Sequence, residues 1–379
     1  MVGRVGLLLI LAIALLTCGQ PPAPAKPAAP TQQAPAQPAA PAPSAASGAP
    51  AARPAVQPLN PIVRVKYGTQ EQVSGASLYI AAEKGYFAEE GLEVEFTRIG
   101  GGPDAAPALA TGDLDFAQGA MDPATFNAIL RGIPLKFVTH LSLNREDAVT
   151  SGLMIRQDVI DSGRYRDPQD LRGLTVGTGP AAGSITELFL SRVLDHWGLT
   201  LADVQPVNLS YVDMTTALSN ARLDAAWNIQ PFITALESRG VAKMVAPLGQ
   251  FYPGAVTNTL LISPVFAERQ PEAARRFVTA QVRGQRDFWH AFIKQDNVAG
   301  QEAIIEALTK YTPVKDPQQW RETIMPGVGL NGELSDAIVD DYQDYFVKAG
   351  SQREKLATAK VVDHSYVEYA LDRLGREAY

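Results

Sequence analysis

Residues 77–96 read Ser77-Leu78-Tyr79-Ile80-Ala81-Ala82-Glu83-Lys84-Gly85-Tyr86-Phe87-Ala88-Glu89-Glu90-Gly91-Leu92-Glu93-Val94-Glu95-Phe96, and the fold class turns on this stretch. Its first half carries a helix over 77–84 that Gly85 ends, because glycine takes the left-handed turn of a helix C-terminus without steric cost. Leu92 to Phe96 then alternates apolar and acidic residues, the period-two pattern of a strand with one buried face. Upstream, Ile62 to Tyr67 alternates in the same way, so the segment is a strand-helix-strand unit.

Moving toward the C-terminus, the alternation of elements continues. A helix fits 104–111 with Gly112 as its stop, and Leu114 to Ala117 is a short strand. Asp122-Pro123 opens the next helix, an N-cap followed by proline at the first helical position; Gly132 ends it, and Leu135 to His140 returns as a strand. A second series begins with the strand Gly173 to Val176. Ser184 and Glu187 have capping-box spacing, and the helix they open puts Ile185, Leu188, Phe189, Val193 and Trp197 on one face before Gly198. Strands at 204–209, 223–227 and 244–245 alternate with helices from Asp213 and from Gln230-Pro231. Beyond Pro271 the pattern is mostly helical, with Ala274, Phe277, Val278 and Val282 on one stripe. Two such series predict an α/β chain of two lobes, each a mostly parallel sheet flanked by helices, with a ligand cleft between them. The expected division places 61–140 and 263–379 in the first lobe and 141–262 in the second, with hinges near 140 and 262.

Toward the N-terminus the character changes. Arg4 precedes an apolar run from Val5 to Leu16, about 12 residues, which is the length of a signal-peptide core and too short for a spanning helix. It ends in Leu15-Leu16-Thr17-Cys18, which resembles the bacterial lipobox, although Thr17 replaces the usual Gly, Ala or Ser. Cys18 is the only cysteine and the expected lipidation site, so residues 1–18 form a lipoprotein signal peptide. Residues 19–60 are almost wholly Pro, Ala, Gln and Ser, a disordered tether without the apolar periodicity needed to fold. The net charge of −7 gives no basic stripe for nucleic acid. One cysteine and four dispersed histidines supply no metal-ligand spacing, so neither metal nor cofactor is expected.

Ligands of open α/β sheets lie beyond the carboxyl ends of the strands, and that position selects the candidates. In the first lobe these are Ser74, Ser77, Gly102, Gln118, Met121 and Asp122, with His140 where the chain leaves the lobe. In the second they are Thr178, Gly179, Ser184, Asn228 and Gln230, with Tyr252 on a turn-rich loop that can reach the cleft. Asp122 and Ser184 also suit N-caps, His140 suits a satisfied hinge histidine, and Trp227 suits either core or a stacking platform. Gln118, Asn228 and Gln230 have no evident structural task, and amides carry the donor and acceptor that reading a heterocycle edge requires.

Ordered pieces across 62–280 carry a family resemblance: Leu78 to Glu95, Gly100-Gly101-Gly102, Ala110-Thr111-Gly112-Asp113-Leu114-Asp115, Asp170 to Gly177, and Ala217-Leu218 through Ala225 to Gln230-Pro231. The set resembles the nitrate, sulfonate, taurine and thiamine-pyrimidine-precursor binding proteins of ABC importers. That resemblance implies a type II periplasmic-binding fold, a monomer closing on a small molecule, and delivery to permease and ATPase subunits at the extracytoplasmic face of the cell membrane. The candidate loops carry no Arg or Lys, which within the family points to a flat heterocycle, riboflavin or the thiamine pyrimidine precursor, and the Pro/Ala tether resembles the riboflavin-binding lipoprotein branch, the one expected. Alternatives are an organosulfonate, taurine or nitrate anion, and a thiamine-pyrimidine-related enzyme on the same fold. The enzyme reading wants cysteine or clustered histidines in the folded body, and a dinucleotide site at Gly177-Thr178-Gly179 lacks the acidic residue a ribose needs.

Overall fold

The computed structural model describes residues 57–100, 102–146 and 150–378. The signal segment, Cys18 and the tether up to residue 56 lie outside the described residues. Residues 57–60, expected within the tether, are docked on the body instead. Leu59 N donates to the Glu90 carbonyl at 3.2 Å, and the Gln57 carbonyl accepts from Arg276 Nη1 at 2.7 Å. Gly91 permits this approach, since a Cβ there would stand 2.2 Å from Leu59 N.

The strands are β1 (Val63–Thr69), β2 (Leu92–Arg98), β3 (Phe116–Gly119), β4 (Lys136–Leu143) and β5 (Ser151–Arg156), then β6 (Thr175–Gly179), β7 (Gln205–Asn208), β8 (Ala225–Ile229), β9 (Ala242–Pro247) and β10 (Val256–Ile262). They form two five-stranded sheets, in the orders β2-β1-β3-β10-β4 and β7-β6-β8-β5-β9. β1 runs parallel to β2 and β3, and β6 parallel to β7 and β8. β10 and β5 each run antiparallel to both neighbours. Helices flank both sheets, as the sequence pattern predicts.

The two sheets repeat one local device. Asp115, just before β3, accepts from the Lys66 N–H of β1 at 2.8 Å, and Asp224, just before β8, accepts from the Thr175 N–H of β6 at 3.1 Å. Each carboxylate thus satisfies a backbone donor of the neighbouring parallel strand one residue before the ladder between the two begins.

Three features depart from expectation. First, β5 and β10 are strands that the period-two pattern does not mark, because both are buried along nearly their whole length. Second, β10 belongs to the first sheet, so the chain returns from the second sheet at 248–255 and not near 262. The two crossings lie side by side: Asn144 N donates to the Ala255 carbonyl at 2.8 Å and Gly254 N to the Asn144 carbonyl at 2.9 Å. Third, the C-terminal region does not stay with the first sheet. In the helix Asp336–Lys348, Tyr342 packs against Phe189 at 5.8 Å and Phe346 against Phe126 at 6.2 Å. Its Asp341 pairs with Arg192 at 2.6 Å. This helix therefore contacts elements that follow β6 and β3 alike.

Candidate functional site

A cavity of about 280 Å³ opens between the carboxyl ends of the two sheets. Its first wall begins where β1 ends. Residues 70–74 connect β1 to the helix Ala76–Glu83, and Gln70, Gln72, Val73 and Ser74 all line the cavity. Gln118 on β3, fully buried, holds this loop. Its Oε1 accepts from Gln70 N at 3.2 Å, and its Nε2 donates to Ser74 Oγ at 2.6 Å. β10 and β4 complete the wall through Asn258 and the paired hydroxyls of Ser142 and Thr257, 2.7 Å apart.

The second wall is aromatic and aliphatic. Trp227, wholly buried on β8, packs against Phe189 with ring centroids 6.2 Å apart. Phe189 and Ile185 come from the helix Ile185–His196, whose inner face the sequence periodicity identifies. Tyr211 stands beside them, its hydroxyl 2.7 Å from Thr186 Oγ1. Ile229, Gln230, Thr150 and Ser151 finish this side. Among the described residues the lining carries no charged side chain.

Of the sequence-selected residues, Ser74 and Gln230 line the cavity. The others are placed behind it or away from it. Gln118 positions the 70–74 loop, as described. Asn228 is buried with both ends of its amide used, Nδ2 donating to Thr215 Oγ1 at 3.1 Å and Oδ1 accepting from Ile229 N at 3.0 Å. Ser77 is buried against the long helix Pro271–Phe288, where its hydroxyl accepts from Gln281 at 3.3 Å. Met121 sits in the core, and Gly102 starts the helix Gly102–Thr111. Thr178 accepts from Asn208 at 3.1 Å, and the Gly179 carbonyl accepts from Leu209 N at 2.9 Å. Tyr252 donates its hydroxyl to Asp341.

The two N-cap candidates are N-caps. Asp122 accepts from Thr125 N at 2.9 Å and from its hydroxyl at 3.0 Å, and burial raises its carboxyl pKa. Ser184 accepts from Glu187 N at 3.4 Å, but the reciprocal bond of the expected capping box goes elsewhere: Glu187 accepts from Gly183 N at 2.9 Å. His140 is buried, with Nδ1 2.8 Å from the Glu333 carbonyl and Nε2 accepting from Gly329 N at 2.9 Å. The ring is therefore neutral with its proton on Nδ1, and burial lowers its pKa to about 4.

The lining residues that sequence reasoning missed include Gln70 and Gln72 after β1, Ile185, Phe189, Tyr211 and Ile229 on the second wall, and Ser142, Thr150, Ser151, Thr257 and Asn258 at the strand ends beside the crossings. The available signal was Thr257-Asn258-Thr259, three polar residues inside an otherwise apolar strand.

Against known proteins, a family model described as NMT1/THI5 like matches residues 72–290. The taurine-binding periplasmic protein of Escherichia coli (strain K12) is 26% identical over 72% of this chain and 83% of its own length. The alkanesulfonate-binding protein SsuA from Xanthomonas axonopodis pv. citri superposes with a TM-score of 0.59 at 18% identity, over 80% of this chain and 98% of its own. The periplasmic nitrate-binding protein NrtA from Synechocystis PCC 6803 does so with 0.60 at 16% identity, over 83% and 90%. These likenesses establish the periplasmic-binding-protein fold.

Proposed function

The chain belongs to the NMT1/THI5-like family, and from that premise we propose that it is the substrate-binding subunit of an ABC-type importer. It captures a small molecule between its sheets outside the cytoplasmic membrane and releases it to a permease and its ATPase. The observation that carries this reading is the cavity, which both sheets line and beside which the crossing at 248–255 runs as a hinge. The relatives named above are binding proteins, which favours transport over the enzyme alternative. Lipidation of Cys18 followed by the Pro/Ala tether would hold the body at the membrane surface within reach of the permease. Replacing Cys18 by Ser should release the protein from the membrane fraction.

For the ligand, amides and hydroxyls opposite aromatic rings support a small, mostly uncharged, flat heterocycle. An engineered cavity of about 150 Å³ accepts benzene, so 280 Å³ suits one substituted ring or a fused pair. That size favours a thiamine-pyrimidine-like precursor over riboflavin with its ribityl chain. A sulfonate or nitrate is the second reading, supported by the named ligands of the relatives. Thermal unfolding with the aminopyrimidine precursor, riboflavin, taurine and nitrate separates the readings. A ligand at about 100 times its Kd adds about 2.7 kcal/mol of stability. Stabilisation by taurine or nitrate alone would discard the heterocycle and keep the importer.

A further inference from the structure

The chain between Gly332 and Asp363 leaves the first sheet and returns to it. At its start the Gly332 carbonyl accepts from the Thr139 hydroxyl at 2.7 Å, and the Glu333 carbonyl lies 2.8 Å from His140 Nδ1. At its end Val362 bridges to Phe137, and Asp363 N donates to the Phe137 carbonyl at 3.0 Å. Both ends are therefore pinned to β4. Between them the helix Asp336–Lys348 and the turn to Ser351 reach across to the helix Ile185–His196, which follows β6 of the second sheet.

The two attachments differ in kind. Toward the first sheet the Tyr342 hydroxyl donates to the Val256 carbonyl at 3.0 Å, Asn127 Nδ2 donates to the Ser351 carbonyl at 2.8 Å, and Phe346 packs on Phe126. Together with the backbone pairing to β4, these make the segment part of that body. Toward the second sheet the hydrogen bonds run through side chains. Asp341 pairs with Arg192 at 2.6 Å, the Tyr345 hydroxyl donates to Glu187 at 3.1 Å, and the Ser351 hydroxyl donates to the Gly183 carbonyl at 2.8 Å. The Arg192 and Asp341 side chains keep 27% and 38% exposure, so water replaces their contact at little cost. A cavity of about 430 Å³ opens in the same seam, lined by Gly183, Glu187, Arg192, Tyr345 and Lys348, so this joint is not packed as an interior. Tyr342 also meets Phe189 edge-on at 5.8 Å, and Phe189 lines the cavity between the sheets.

We infer that this segment is a latch. Fixed to the first sheet, it fastens the second through Arg192, Glu187 and Gly183, and it lets go when the two sheets part. The helix Ile185–His196 then moves with the second sheet and carries Phe189 with it. The strength of the latch therefore sets what fraction of the protein keeps the cavity assembled. It acts whatever molecule the cavity takes.

The test is a distance measurement by pulsed electron paramagnetic resonance on the full chain with Cys18→Ser, spin-labelled at Arg131→Cys and Asn220→Cys. Arg131 ends the helix Pro123–Leu130 beside the first sheet, Asn220 ends the helix Tyr211–Ser219 beside the second, and both are exposed. A second chain labelled at Arg131→Cys and Glu268→Cys reports within the first body alone. Arg192→Gln with Tyr345→Phe removes two of the fastenings and keeps the stem and the ring. The ratio of parted to latched distances between 131 and 220 should then rise about tenfold, the worth of one charge-assisted hydrogen bond, while the 131 to 268 distance stays fixed. Where the double variant does not fold, salt decides on the unaltered latch. Raising sodium chloride from about 0.1 M to about 1 M screens the half-exposed Arg192–Asp341 pair and should shift the 131 to 220 distances the same way. An unmoved 131 to 220 distance in the folded double variant, or under salt where the variant does not fold, would overturn the latch. So would movement shared by the 131 to 268 pair, which reports loss of the fold and not parting of the sheets. No ligand takes part, so either result leaves the importer reading intact.

Discussion

The two walls of the cavity come from sheets of the same topology, yet they differ in chemistry. The first wall, from β1, β4 and β10, presents amides and hydroxyls: Gln70, Gln72, Ser74, Ser142, Thr257 and Asn258. The second, from β8 and the helix Ile185–His196, presents mainly Ile185, Phe189, Trp227 and Ile229, with Tyr211, Gln230, Thr150 and Ser151 at its margin. The equivalent devices at Asp115 and Asp224 show that the strand frameworks match, so the difference resides in what each framework displays. Topology supplies a place for a ligand, and the residues at the strand ends decide what that place accepts. One wall reads hydrogen-bonding pattern, and the other supplies apolar surface for a ring.

The strongest test of that contrast is Trp227→Ala, which removes the floor of the apolar wall. Loss of a fully buried tryptophan should cost about 3–5 kcal/mol, read by urea denaturation, and abolish ring binding. Wild-type affinity in that variant would end the assignment of the second wall to stacking.

Next in size is a pH effect located behind the polar wall. The pKa of His140 falls from an unfolded value near 6.5 to about 4 in the folded protein. The unfolded chain therefore binds the proton more readily, and stability is intact above pH 6.5 and lost as pH falls toward 4. The loss amounts to about 3 kcal/mol across that window. His140→Gln should flatten this part of the profile in melts taken between pH 4 and 7, and an unchanged slope would show that other groups set it.

Gln118→Ala should cost about 1–3 kcal/mol, because Ser74 and Gln70 N lose a buried partner. With the 70–74 loop released, ligand affinity should fall about tenfold while the second wall remains intact. A variant that melts early but binds normally would show that the polar wall does not depend on this loop. Ser184→Ala gives the smallest effect. A cap at 3.4 Å should contribute about 0.5–1 kcal/mol, and since Ser184 is outside the lining, affinity should not change. A large loss of binding there would extend the site to the start of that helix.

The parallel strands and their helices were legible because their signals are local. Alternation marks β1 and β2, and Gly85 and Gly112, at φ of 74° and 79°, end the two helices as their positions implied. The capping residues Asp122 and Ser184 were legible for the same reason. β5 and β10 were not, because a strand buried on both faces has no alternation to display, and their absence moved the expected return crossing from 248–255 to 262. Gln118 and Asn228 show the limit of residue type as a guide. Each was selected for having no structural task, and each has one, supplied by Ser74 and Gln70 in one case and by Thr215 in the other.

The sequence by itself determined the α/β class, the order of the elements, the caps and the family, since each rests on residues near one another in the chain. The tertiary structure decided which polar side chains are used inside the protein and which residues line the cavity. That outcome depends on partners that local patterning does not pair, as Ser74 with Gln118 across 44 residues and Thr215 with Asn228 across 13.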